Sequence, residues 1–259
     1  MRIALATGNV DKVRELSELL AGVDIEGAPP GFDVDETGST LMQNAWLKAA
    51  ELRRLADPEV IVVADDSGLF VHAMGGRPGV FSSRYAGPDA TYEDNCRRLL
   101  DELESIDDRR ACFSTVLVGL GGDGTVYVAE GSCPGVITRA PRGDRGFGYD
   151  PVFAPMDDAA GRTMAEMSGR EKGAVSHRGA PSAASRPVST SDRVVMATAQ
   201  RPSCPASEVP EQSGGCKFPL DLAPGIRTVG LGCCVLAFAH LVGYRRRLRP
   251  CPADFSHAR

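Results

Sequence analysis

A few short clusters hold most of the side chains in this chain that suit phosphate, metal and base chemistry. The first is Thr7-Gly8-Asn9-Val10-Asp11-Lys12, set between an apolar run, Ile3-Ala4-Leu5, and a helix-patterned segment. A helix N-terminus presents unpaired N–H groups and a partial positive charge, so it attracts phosphate. Gly8 lets the backbone come close, Thr7 and Asn9 add short polar groups, and Lys12 adds a cation one turn in. The competing reading is a simple helix cap with Lys12 in solvent. The segment is not a P-loop, because the pattern G-x-x-x-x-G-K-[ST] is absent.

Acidic residues form two further clusters. Asp33, Asp35 and Glu36 precede the segment that carries Asn44 and Lys48, and suit either Mg²⁺ or a solvated loop. Asp65 and Asp66 follow Val62-Val63-Ala64 directly. They are expected at the carboxyl end of a strand, where α/β ligand sites collect. Adjacent carboxylates repel, and Mg²⁺ relieves that repulsion while bringing phosphates with it. Residues 75–87, GGRPGVFSSRYAG, read as a shaped loop whose role is open. Phe147, Gly148, Tyr149 and Asp150 place aromatics in a glycine turn, which suits either stacking on a nucleobase or a core position. Lys172, His177 and Arg178 supply hydrogen-bond donors. A 6-oxopurine calls for donors, since its O6 and N7 both accept.

The elements that must position these groups read as an α/β domain over residues 1–179. Strands are expected at 2–6, 60–64, 111–120 and 125–132, the last two joined by a hairpin turn at GGDG, 121–124. Helices are expected at 10–21, 40–56 and 89–105. In the first, Val10, Val13, Leu16, Leu19 and Leu20 form the apolar stripe. In the third, Asp89 is expected to cap, with Tyr92, Cys96, Leu99, Leu100 and Leu103 facing inward. Ser168 to Glu171 form a capping box that starts a shorter helix. Hairpin and crossover connections together predict a mixed sheet with helices packed on it.

The net charge of -5 gives no reason to expect nucleic acid or an acidic membrane as partner. The N-terminus lacks a secretory pattern, and Cys96, Cys112 and Cys133 have no metal-like spacing. Both point to reduced thiols and a cytoplasmic location. Residues 180–259 differ: they are rich in Pro, Ser and Cys, and are expected to be disordered. Their apolar stretch at 228–244 is read as partly buried or aggregation-prone rather than membrane-spanning.

Taken in order, the motifs form a recognisable series. TGN-x-x-K leads to ETG with N-A-x-x-K-A, then ADDSGL, GG-x-PG-x-x-S-x-RY, GFGYDP-x-F and EK-x-x-x-SHRG. The series resembles the inosine triphosphate pyrophosphatase family over residues 2–179. The resemblance implies an elongated mixed sheet flanked by helices, in two lobes with a central cleft, and a homodimer. It also implies hydrolysis of ITP, dITP and XTP to the monophosphate and pyrophosphate with Mg²⁺. By the same resemblance, Thr7 to Lys12 hold the phosphates, Asp66 is the catalytic carboxylate and a metal ligand, and Ser67 contacts substrate. Asp35 or Glu36 is the second metal-side acid. Phe147 to Asp150 line the base pocket, Lys172 contacts the nucleotide, and His177 with Arg178 read the 6-oxo group. The chain departs from the family after SHRG. Pro181 and Pro187 disfavour the closing helix that family members carry there, and the expectation is a reading-frame change near codon 180.

Overall fold

The computed structural model describes residues 2–20 and 22–179, together with two short strands beyond them. The chain opens with β1 (Arg2–Leu5), α1 (Val10–Leu19), β2 (Asp24–Gly27) and α2 (Leu41–Leu55). It continues with the long strand β3 (Ile61–Val71), the short β4 (Pro78–Gly79) and α3 (Tyr92–Glu102). A long hairpin, β5 (Arg110–Leu120) and β6 (Val126–Ile137), precedes β7 (Phe153–Pro155) and α4 (Gly169–Val175). The two further strands are β8 (Val195–Met196) and β9 (Gly225–Val229). The sheet order is β2-β1-β3-β5-β6-β9-β8, with β4 on β3 and β7 on β6. The β1–β2 and β1–β3 pairs are parallel, while β3–β5 and β5–β6 are antiparallel. The mixed sheet expected from the sequence is therefore present.

Helix starts are set by short polar side chains. The Asn9 side chain accepts from the backbone N–H of Asp11 and Lys12, and Thr40 accepts from Gln43. The third helix is capped by Thr91 in a box with Asp94, not by Asp89. Thr91 sits three residues before an acid that can return the bond, which Asp89 does not. The Ser168–Glu171 box forms as read. In the hairpin, Gly124 takes φ +83, which admits the GGDG turn.

Apolar side chains collect in three clusters. On one face of the sheet, Ala45, Ala49 and Leu52 of α2 meet Val62, Ala64, Val116 and Val118. On the opposite face, Leu16 and Leu20 meet Ile3, Leu5 and Val63. Farther along the sheet, Cys96, Leu99 and Leu103 pack with Leu69, Val71, Phe113, Ile137 and Phe153. The first two clusters make one lobe and the third makes the other.

Four expectations change. The second strand runs to Val71 instead of ending at Ala64, because β5 pairs with it from Val62 to Val71. The fourth runs to Ile137, because β5 and then β7 pair along it. Val10 is 74% exposed, at the first position of α1 and beyond the buried stripe. Tyr92 is 41% exposed and faces the cleft between the lobes, not the core. The tail expectations for 180–259, including the stretch at 228–244, lie outside the described residues apart from the backbone of β8 and β9. Among the described residues, no helix is long and apolar enough to cross a membrane.

Leu99 is fully buried and belongs to the second lobe's core. Leu99→Ala is expected to cost about 2–5 kcal/mol of stability, read as an earlier urea unfolding midpoint.

Candidate active site

Side chains alternate along a strand, and in β3 this alternation sorts the acids. Val62 and Ala64 pack towards α2, and Val63 towards α1. Asp66 therefore follows the α2 face, and Asp65 and Ser67 follow the α1 face. The two carboxylates do not share one site, contrary to the sequence expectation of a mutually repelling pair. Each has its own lysine. Lys12 Nζ of α1 donates to Asp65 Oδ1 at 2.9 Å, and Lys48 Nζ of α2 donates to Asp66 Oδ1 at 2.6 Å. Nor do they lie at a strand end. They sit where β1 stops, opposite Val63, and before β4 begins, opposite Leu69. On that bare edge the Asp65 carbonyl accepts from both lysines, at 3.2 and 3.1 Å.

Asp65 is the most heavily engaged acid. Arg178 Nε donates to its Oδ2 at 2.6 Å and Nη2 to its Oδ1 at 3.2 Å. Ser67 Oγ adds a bond at 2.8 Å. Burial disfavours the charge, but Arg178 and Lys12 hold the carboxyl well below the usual carboxylate range. Asp66 goes the other way. Burial raises its pKa, and Lys48 offsets only part of that rise.

The acidic loop contributes Glu36. Lys48 Nζ lies 2.9 Å from Glu36 Oε1, and Arg84 Nη1 lies 3.0 Å from Glu36 Oε2. The loop bends sharply because Gly38 N donates to the buried Asn44 Oδ1 at 2.8 Å, leaving no room there for a Cβ. Asp35 is exposed and does not line the cleft, whereas Asp33 and Glu36 do. One alternate position along an extended loop is enough to turn a side chain outward.

The cleft spans about 250 Å³. At one end lie Thr7, Gly8, Asn9 and Lys12. Part of the anion-binding capacity of α1 is already used, since Asn9 Oδ1 takes two of its backbone donors and Thr7 Oγ1 takes Asn9 N at 3.1 Å. Asp11 pairs with Arg14 and also interacts with the Tyr92 hydroxyl, and Val10 points to solvent; neither side chain lines the cleft.

At the other end lie Phe147, Gly148, Tyr149, Asp150, Lys172, His177 and Arg178. Lys172 Nζ lies 4.6 Å over the Phe147 ring and donates to Asp150 Oδ2 at 2.7 Å. Asp150 also accepts Phe147 N at 2.9 Å, and burial raises its pKa despite Lys172. Tyr149 is buried and donates its hydroxyl to Ser82 O at 2.9 Å, so it braces the wall instead of facing a base. His177 is 3% exposed and stacks on Phe113, with centroids 4.9 Å apart. Neither of its ring nitrogens has a hydrogen-bond partner. Burial, and then Arg178, push its pKa well below the ordinary value, so the ring is neutral.

The model of the Ham1 family matches residues 3–185. The chain belongs to the Ham1 family. It is 47% identical over 186 residues to a dITP/XTP pyrophosphatase of Escherichia coli K12, covering 69% of this chain and 92% of that protein. A dITP/XTP pyrophosphatase of Geobacillus kaustophilus is 49% identical over 185 residues, covering 68% and 88%. Among solved structures, the Ham1 protein of Staphylococcus aureus superposes with a TM-score of 0.60 at 38% identity, covering 69% and 92%. The Coxiella burnetii HAM1 protein gives 0.59 at 39%, covering 69% and 93%.

Within this Ham1 site, three participants were not singled out as site residues by sequence reasoning. They are Lys48, Glu15 and Phe113. Glu15 stands one turn after Lys12 on α1, and that i,i+3 spacing was its available signal. It forms an ion pair with Lys172 at 3.0 Å and accepts from Arg178 Nη1 at 2.9 Å. For a metal, the donors on the cleft are Asp66 and Glu36, with Asp33 nearby. No cluster of three or more ligating side chains exists among the described residues. Mg²⁺ does not need one, because it binds through one or two carboxylates plus substrate phosphates. Lys48, whose cation bridges Asp66 and Glu36, marks where positive charge is favoured.

His177 also sets a pH dependence. Its folded pKa lies below the unfolded value near 6.5, so only the unfolded chain gains a proton as pH falls through that range. Stability is therefore lost on acidification. The loss is expected to be visible between about pH 6.5 and 5. Urea titrations at the two pH values are expected to show a shallower dependence in His177→Gln.

Proposed function

We propose that this protein hydrolyses dITP, XTP and ITP to the monophosphate and pyrophosphate, with Mg²⁺, and so removes deaminated purines from the nucleotide pool. We also propose a cytoplasmic homodimer. The absence of disulfides among Cys96, Cys112 and Cys133 supports the location. One observation carries the substrate reading: a buried neutral histidine with unpartnered nitrogens lines a cleft that also holds Lys12, Lys48 and Asp66. A 6-oxopurine offers O6 to the N–H of His177. A 6-amino group meets that N–H with another donor. An unpaired buried donor costs about 1–3 kcal/mol, or roughly 5- to 150-fold in selectivity. Arg178 directs its guanidinium to Asp65, Ser67 and Glu15, and so fixes the wall beside His177.

At the phosphate end, attack of water on the α-phosphorus builds negative charge on the non-bridging oxygens and the departing pyrophosphate. Lys12 and the N-terminus of α1 offset that charge. Asp66 accepts the proton of the attacking water. Glu36 and Asp66 would hold Mg²⁺, which would supply electrostatic stabilisation of the phosphate oxygens. Lys48 keeps both carboxylates in place. Phe147 and Lys172 bound the base.

Pyrophosphate release from dITP, with dATP and dGTP as controls, tests the reading. Fast release from dITP and slow release from dATP are expected, and equal rates from those two would overturn it; dGTP, which keeps O6, reports whether the 2-amino group is read as well. Chelation with EDTA is expected to abolish release, with recovery on adding excess Mg²⁺. Asp66→Asn is expected to lower kcat by about 10²- to 10⁴-fold, with an unchanged melting profile.

A further inference from the structure

We propose that Tyr92 is a substrate-contacting residue of this cleft, seated where the sugar of a nucleotide must lie. The proposal rests on the reading of the protein as a nucleotide hydrolase. Two contacts place the side chain, and a third places its helix. Asn9 Nδ2 donates to Tyr92 Oη at 3.0 Å. The orientation of that amide is set independently, because Asn9 Oδ1 is occupied by the N–H groups of Asp11 and Lys12. The Tyr92 ring meets the Phe147 ring at 6.0 Å and a 44° tilt. One turn later on the same face of α3, Cys96 Sγ donates to Gly148 O at 3.4 Å, tying the helix to the base-wall loop.

Tyr92 thus touches the phosphate end through its hydroxyl and the base wall through its ring. A nucleotide has one part that bridges those same two ends, its pentose. The ring of Tyr92 offers an apolar face to the C–H edge of the sugar, and the phenol oxygen stays beside Asn9. A core role is ruled out by its 41% exposure, and the α3 cap is supplied by Thr91 and Asp94 without it. The lining of the cleft includes Tyr92 together with Asn9 and Phe147.

The test is steady-state hydrolysis of dITP by wild type, Tyr92→Ala and Tyr92→Phe, with competitive inhibition by pyrophosphate and a thermal melt in parallel. The Ala variant is expected to raise KM about five- to tenfold with most of kcat retained, because a contact made equally in ground and transition state is lost. Tyr92→Phe keeps the ring and is expected to recover most of the KM. The pyrophosphate inhibition constant is expected to stay within about twofold, since pyrophosphate carries no sugar. An unchanged KM in the Ala variant overturns the assignment. So does a joint loss of dITP and pyrophosphate affinity with an earlier melt, which would mark a structural role. Absence of dITP turnover in the wild type would instead strike the hydrolase reading itself, and the Tyr92 assignment with it.

Discussion

The carboxylate of Asp65 carries a negative charge into the interior of the sheet, and the cations around it are arranged to keep it there. Arg178, from the segment after α4, reaches it with two donors, and Lys12 reaches it from α1. Ser67, two residues on along the same strand face, closes the set. A buried charge without partners costs several kcal/mol, so each partner is held as firmly as the charge is. Since Arg178 also binds Glu15, and Glu15 binds Lys172, a single chain of ion pairs runs from Lys12 to Asp150. That chain fixes the spacing between the two ends of the cleft.

The strand that supplies this acid also separates it from its neighbour. Pairing of β3 with β5 continues straight through Asp65 and Asp66, so the two side chains must leave on opposite faces. One face collects α1, Arg178 and Lys172, which set the wall beside His177. The other collects α2, Glu36 and Lys48. Burial then acts differently on the two acids: strong pairing depresses Asp65, whereas Asp66 is raised. Two identical residues in sequence thus become a structural anchor and a candidate base.

Much of this was legible in the sequence where signals were local. The capping box at Ser168, the GGDG hairpin and the amphipathic helices all depend on residues within a few positions of one another. Motif order gave the family and most of the cleft residues. What escaped depended on long-range pairing. The strand pattern at 60–64 could not announce its extension to Val71, because the extension is made by β5, about fifty residues on. The short β2 and β4 have no alternation long enough to read. Asp89 and Thr91 are both good caps by type, and the returning Asp94 decided between them. Asp35 and Glu36 could not be separated without the loop geometry that Gly38 and Asn44 impose. Tyr92 looked like a core residue by helical period, yet stands at the first position of α3, where the helix has already cleared the core.

The unbroken ladder through β3 and β5 has a mechanical consequence. The lobes are joined by strands that stay paired from Val62 to Val71, and domain rotation would need some of those bonds to break. The continuous ladder therefore stiffens the connection between the lobes compared with a flexible linker. Motion that admits and releases ligand falls to the segments that reach over the sheet from its sides. The glycine-flanked stretch around Phe147 is one, with positive φ at Gly146 and Gly148. The loop carrying Glu36 is the other.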